Sequence, residues 1–114
     1  MFGRCSAIAL LTALSLGGCK RNASAEDARV CVQAYVVRTW ARCQATDVRC
    51  DVSEMEILSR NDRPGRSELV AEAPVHFRPV SGTATVLTAR FRAVLTPAAD
   101  GTFVCGEVAA VAER

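Results

Sequence analysis

From Glu68 to Arg78 the chain alternates. Leu69, Ala71, Ala73, Val75 and Phe77 stand against Glu68, Val70, Glu72, Pro74, His76 and Arg78, the period of a half-buried strand. Pro74 has no N–H for a ladder, so an edge position or a bulge is expected there. After a turn at Pro79 and Ser81-Gly82, a long strand follows. Its inner face is Thr85, Leu87, Ala89, Phe91, Ala93 and Leu95, with Thr88, Arg90 and Arg92 outward. A second turn, Pro97-Ala98-Ala99-Asp100-Gly101, leads to a final strand from Phe103 to Ala112. Upstream, Asp51 to Arg60 predicts a first strand, with Met55 and Ile57 on one face and Glu54 and Glu56 on the other. It ends at the turn signal Asn61-Asp62-Arg63-Pro64-Gly65, rich in residues that suit turns.

Ahead of these strands the period changes. Ser24 followed by Asp27 resembles a capping box with Asp in place of Glu, and Glu26 and Asp27 suit a helix N-terminus. The pattern predicts a helix from Ala25 to Gln44 and a loop over Ala45–Arg49. Two apolar stripes run along that helix. One is Val30, Ala34, Val37 and Ala41; the other is Val32, Val36, Trp40 and Cys43. The second stripe, if exposed, would make Val32, Val36 and Trp40 the anchor of a protein interface. The fold class is therefore α+β, one N-terminal helix packed on a four-stranded antiparallel meander. In element order this resembles the cystatin-like and NTF2-like architectures, although no motif residues carry that likeness and fold does not decide function.

Strand phase also limits register. Matched inner faces across the Ser81-Gly82 turn require paired residue numbers with an even total. A total of 162 sets Glu72 opposite Arg90 and 164 sets it opposite Arg92, either of which is a favourable cross-strand pair. A total near 198 for the last hairpin sets Ala93 beside Cys105 on the inner face. The same phase points Glu107 inward, which a strand end or a bulge at Gly106 would relieve.

The N-terminus has its own pattern. The fifteen residues between Arg4 and Lys20 carry no charge. That is short of the roughly 20 apolar residues of a spanning helix, but it suits the apolar part of an export signal. The run closes on Leu16-Gly17-Gly18-Cys19. These four residues resemble the lipobox of bacterial lipoproteins. The resemblance covers residues 1–20 and implies cleavage before Cys19, with acyl chains on Cys19. Lys20, where Asp would imply inner-membrane retention, favours the outer membrane. Ala23-Ser24-Ala25 offers an ordinary signal-cleavage site, but Lys20 and Arg21 would then lie between the apolar run and the cut. The chain thus divides into a signal (1–18), an acylated cysteine and tether (19–25) and one domain (26–114). The stretch Lys20–Ala25 spans about 20 Å at most when extended.

Residues 1–18 hold one of the 14 basic residues and none of the 12 acidic ones, so the mature part carries 13 and 12. It is nearly neutral, and nucleic acid is not an expected partner. Cys31, Cys43, Cys50 and Cys105 remain after Cys5 and Cys19 are set aside, and an even set in a small exported domain implies disulfides. On one helix, Cys31 and Cys43 would lie about 18 Å apart, whereas bridged Cα atoms lie within about 7 Å. The favoured pairs are Cys31–Cys105 and Cys43–Cys50. No C-x-x-C pair is present, so neither zinc nor any other cofactor is expected.

Catalytic chemistry has little to stand on. His76 is the only histidine, and no Ser or Cys is placed with it and an acid. Glu54 and Glu56 are better explained as edge-strand charges. The outward residues His76, Arg78, Arg90 and Arg92 form a candidate basic strip for an acidic partner or lipid phosphate. The expected function is a non-enzymatic lipoprotein of the cell envelope, membrane-bound through acylated Cys19 and facing the periplasm. It would bind an envelope protein as an accessory or assembly component. The alternatives are an inhibitor or immunity protein against a periplasmic hydrolase, and a carrier holding a small apolar ligand between helix and sheet.

Overall fold

A computed structural model describes residues 22–113. Cys19, the lipobox and the apolar run lie outside the described residues, and no helix within them is long and apolar enough to cross a membrane. The chain forms one helix, α1 (Ala25–Thr39), and a 3-10 turn (Ala41–Gln44). Five strands follow: β1 (Val48–Val52), β2 (Glu56–Arg63), β3 (Arg66–Pro79), β4 (Thr85–Pro97) and β5 (Phe103–Glu113). They make one antiparallel sheet in the order β1-β3-β4-β5, with β2 also paired to β3.

The capping box is present in α1. The Ser24 hydroxyl accepts from the Asp27 N–H, and the Asp27 carboxylate accepts from the Ser24 N–H at 2.8 Å. Ala28, Cys31, Val32 and Val36 form the buried stripe, with Tyr35 packed beside it, at the spacing of one helix face. The helix stops at Thr39, not Gln44. Trp40 turns extended (φ −79°, ψ 123°) and only its N–H stays bonded, to the Val36 carbonyl. Two demands outweigh helix continuation. Trp40 stacks on Phe77 and Phe91, with ring centroids 6.2 and 5.9 Å away, and Cys43 reaches Cys50 across 5.7 Å between Cα atoms. The Thr39 hydroxyl helps by bonding back to the Tyr35 carbonyl at 2.8 Å, a local competitor of the helical ladder.

The expected first strand is split in two. β1 pairs with the C-terminal half of β3, β2 with the N-terminal half, and Ser53–Met55 pass between them. Pro74 explains the break. It sits in the middle of a central strand rather than at an edge, opposite Thr88 of β4. Its carbonyl accepts from the Ser53 N–H at 3.1 Å, so the side of Pro74 that lacks an N–H faces the gap between β1 and β2. A central strand thus accommodates proline without an orphaned carbonyl on its neighbour.

β3 and β4 carry the core. Ser67, Leu69, Ala71, Ala73, Val75 and Phe77 are buried from β3, and Ala89, Phe91, Ala93 and Leu95 from β4. Their pairing follows the total of 162, with Glu72 opposite Arg90. The β2–β3 turn is tighter than the sequence implies. The ladder runs to Arg63↔Arg66, leaving Pro64-Gly65 as the turn, with Gly65 at φ 76°, a region a side chain disfavours.

β5 pairs with β4 in a register two higher than expected, setting Cys105 opposite Leu95 rather than Ala93. The shift preserves the face, so Cys105 still meets Cys31, with 5.6 Å between Cα atoms. Both expected disulfides are present. The ladder then slips between Ala93 and Leu95, opposite Gly106 and Glu107. This bulge restores Val108 to the core side and leaves Glu107 exposed. Gly106 belongs there because a β-carbon would come within 3.2 Å of the Val94 carbonyl oxygen.

Candidate interaction surface

The stripe expected to anchor an interface is inside. Val32 and Val36 are 0% exposed, and Trp40 is packed between aromatic rings. The Cys31–Cys105 bridge decides which stripe faces inward. With Cys31 turned toward β5, its helical neighbours Ala28, Val32, Tyr35 and Val36 face the sheet, and Val30, Ala34 and Val37 face out. Val30 and Val37 are about half exposed. The space a carried ligand would need is occupied by Val32, Val36, Phe91 and Leu95, all fully buried.

Nor do the outward arginines form a free basic strip. The Arg78 Nε donates to Asp51 at 3.0 Å, the Arg90 Nη2 to Glu72 at 3.3 Å and the Arg92 Nε to Glu68 at 2.6 Å. Burial pushes Asp51 up, but hydrogen bonds from Arg78 and then Arg49 outweigh it and hold the carboxyl below its ordinary value. The hydrogen bond from Arg92 holds Glu68 low as well, helped by the more distant charges of Arg66 and Arg63. Such exposed pairs contribute little stability, but they cancel the field a basic strip would need. His76 lies half-buried on this face, opposite Asp51 and Val86 in the ladders. Glu54 and Glu56 are exposed on the β2 side. Among the described residues no group of three or more His, Cys, Asp or Glu is placed to hold a metal ion.

The two edges of the sheet differ. On the β1 edge, the Gln33 amide donates to the Cys50 carbonyl at 2.9 Å and accepts from the Val52 N–H at 2.7 Å. Arg29 adds a bond to the Val52 carbonyl at 3.3 Å. These backbone groups point away from β3, since the intervening phase (Asp51, Ser53) is the one bonded to it. Side chains of α1 thus cap an edge that another chain would otherwise pair with. β2 is guarded by charge, with Arg60 and Asp62 paired along it at 2.7 Å. β5 has no further strand on its outer edge among the described residues. Between Phe103 and Ala112 its only charged residue is Glu107.

Beside that edge runs a groove of about 570 Å³ between α1 and β5, lined among others by Ala34, Tyr35, Arg38, Glu107, Val108 and Ala109. The exposed Val104 and Val111 flank it along β5. The sequence pattern could not single out this place, because β5 alternates no better than an interior strand would. The signal that could have found it was the low charge of β5, with Glu107 alone between Phe103 and Ala112. Compared with known proteins, the chain matches no family model, no curated protein and no solved structure.

Proposed function

We propose that this chain is an exported lipoprotein of the cell envelope, acylated at Cys19. Its domain is non-enzymatic and binds an envelope protein by accepting an extended segment along β5. The observation that carries the binding mode is the asymmetry of the edges. β1 is capped by Gln33 and Arg29 and β2 is charged, while β5 is long, nearly uncharged and open beside a groove. Strand addition takes affinity from backbone hydrogen bonds and specificity from the pockets alongside. Arg38 in the groove suits a partner segment carrying a carboxylate among apolar residues. The lipobox-like Leu16-Gly17-Gly18-Cys19 supports the anchoring half of the proposal.

The test is a detergent pull-down of the lipidated protein beside a soluble Cys19→Ala form and an Ala109→Lys/Val111→Lys variant. An accessory component retains a stoichiometric partner that both changes remove, since lysine on an edge opposes strand pairing. Capture that Ala109→Lys/Val111→Lys leaves intact overturns the β5 mode. Equal capture by the soluble form points instead to an inhibitor.

A further inference from the structure

The residues just ahead of α1 belong to the folded body. Ala23 is 1% exposed and sits in the same buried cluster as Leu69 and Leu95. Its carbonyl accepts from the Arg60 Nη2 at 2.6 Å, and its N–H points to the Ser67 hydroxyl at 3.5 Å. Ser67 is itself buried and donates to Asp62 at 2.8 Å. Ala23 therefore fastens the start of α1 to the β2–β3 hairpin.

The next two residues begin the helix. The Ser24 hydroxyl accepts from the Asp27 N–H at 3.1 Å, and its carbonyl accepts from the Ala28 N–H at 3.1 Å. Its own N–H donates to the Asp27 carboxylate at 2.8 Å. These bonds satisfy N–H groups that a helix start otherwise leaves without acceptors. Ala25 is the first helical residue.

The same three residues, Ala23-Ser24-Ala25, spell an ordinary signal-cleavage site. The fold uses all three for something else. A cut after Ala25 would remove the buried Ala23 and the whole cap. Arg60 would lose the Ala23 carbonyl and keep Asp62. The cut would also put the α-ammonium group of Glu26 at the helix N-terminus, where positive charge is unfavourable.

We infer that Ala23-Ser24-Ala25 is a structural clasp and not a processing site, so that the export signal is removed ahead of Ala23. This rests on the export proposed above. Of the two cuts the sequence offers, only the one before Cys19 leaves the clasp in the mature protein. Lys20, Arg21 and Asn22 then link acylated Cys19 to the body, and the chain from Cys19 to Ala23 spans about 14 Å at most. Anchor and fold share one continuous segment. A cut at the triplet that freed the domain from its membrane would also unfasten α1 from the hairpin.

Two measurements test this. The full chain is produced in an exporting bacterium and the intact mass of the product is read. The expected product begins at acylated Cys19. A product beginning at residue 20, 21 or 22 without acyl chains keeps the clasp and overturns the acylation. A product beginning at Glu26, or one still carrying residues 1–18, overturns the inference.

Thermal unfolding then compares residues 19–114 bearing Cys19→Ala with residues 26–114. Loss of the cap and of the buried Ala23 methyl should lower the melting temperature of the shorter chain by about 8–15 °C. Equal melting overturns the clasp. Should residues 26–114 fail to fold, Ser24→Ala in the longer chain carries the test: a fall of about 4–8 °C is expected from the cap alone, and no fall overturns it.

Discussion

Removing the two disulfides one at a time separates their contributions. Cys31–Cys105 spans 74 residues of sequence and Cys43–Cys50 spans 7. Loop-closure entropy gives about 4.5 kcal/mol for the first and about 2.5 kcal/mol for the second at 25 °C. Side-chain burial works the other way. Cys43 and Cys50 are both buried, whereas Cys105 is exposed and only Cys31 is covered. Truncating the extra buried sulfur costs the short-loop variant up to about 1 kcal/mol. The net expectation is that Cys31→Ala/Cys105→Ala is less stable than Cys43→Ala/Cys50→Ala by about 1–2 kcal/mol. In a domain of this size that is about 5–15 °C in melting temperature. Replacing both partners avoids a stray thiol. Thermal unfolding followed by circular dichroism decides it: equal melting, or a lower transition for Cys43→Ala/Cys50→Ala, refutes the loop-closure argument.

Two further outcomes follow from the same structure. Gln33→Ala removes a donor and an acceptor from the β1 edge and should cost about 1–3 kcal/mol, with faster amide exchange at Val52; a melting temperature within 1 °C of the parent would rule out the capping role. Acid should also destabilise the domain. Asp62 is held below its ordinary 3.8 by the hydrogen bond from Arg60, and Glu68 below 4.5 by that from Arg92. Glu26 is lowered by Arg29 and Asp100 by Thr102. A carboxyl depressed in the folded state contributes stability that is present above its unfolded pKa and lost as pH falls through the folded one. Melting should therefore vary little between pH 7 and 5 and fall steadily below about pH 4. A transition unchanged between pH 5 and 2.5 would contradict this.

The sheet was legible where one face is buried and the other wet. A one-residue slip in β3 would exchange Leu69, Val75 and Phe77 for Glu68, Glu72 and His76 on the core side, so phase and register were tightly specified. Glu107 and Gly106 likewise marked the bulge, because a lone acid in an inward phase needs a local break. Pro74 was misleading, since a proline in a strand reads as an edge. Its position opposite a gap depends on Ser53 arriving from a distant part of the chain, and no local pattern records that. The helix offered two apolar stripes of similar weight, and only the Cys31–Cys105 bridge chose between them. The last turn was overextended because the demands that end it, Trp40 on Phe77 and Phe91 and Cys43 on Cys50, are long-range. Of the candidate interaction surface, the sequence showed neither that the arginines are paired nor that β5 is the open edge. Both follow from which strands lie side by side.

The Cys31–Cys105 bridge also determines how the domain would bear a load. Along the backbone, β5 is the last element to be reached from the N-terminus, with the whole sheet in between. Through sulfur, the path from Cys19 to Cys105 needs only the segment 19–31 and one covalent bond. Tension applied at β5 against a fixed N-terminus then runs through that bond and the first turns of α1. It bypasses the β3–β4 and β4–β5 ladders, which would otherwise unzip rung by rung. The domain becomes a short covalent strap with a folded body hung on it, able to resist a pull at its outermost strand without losing its core.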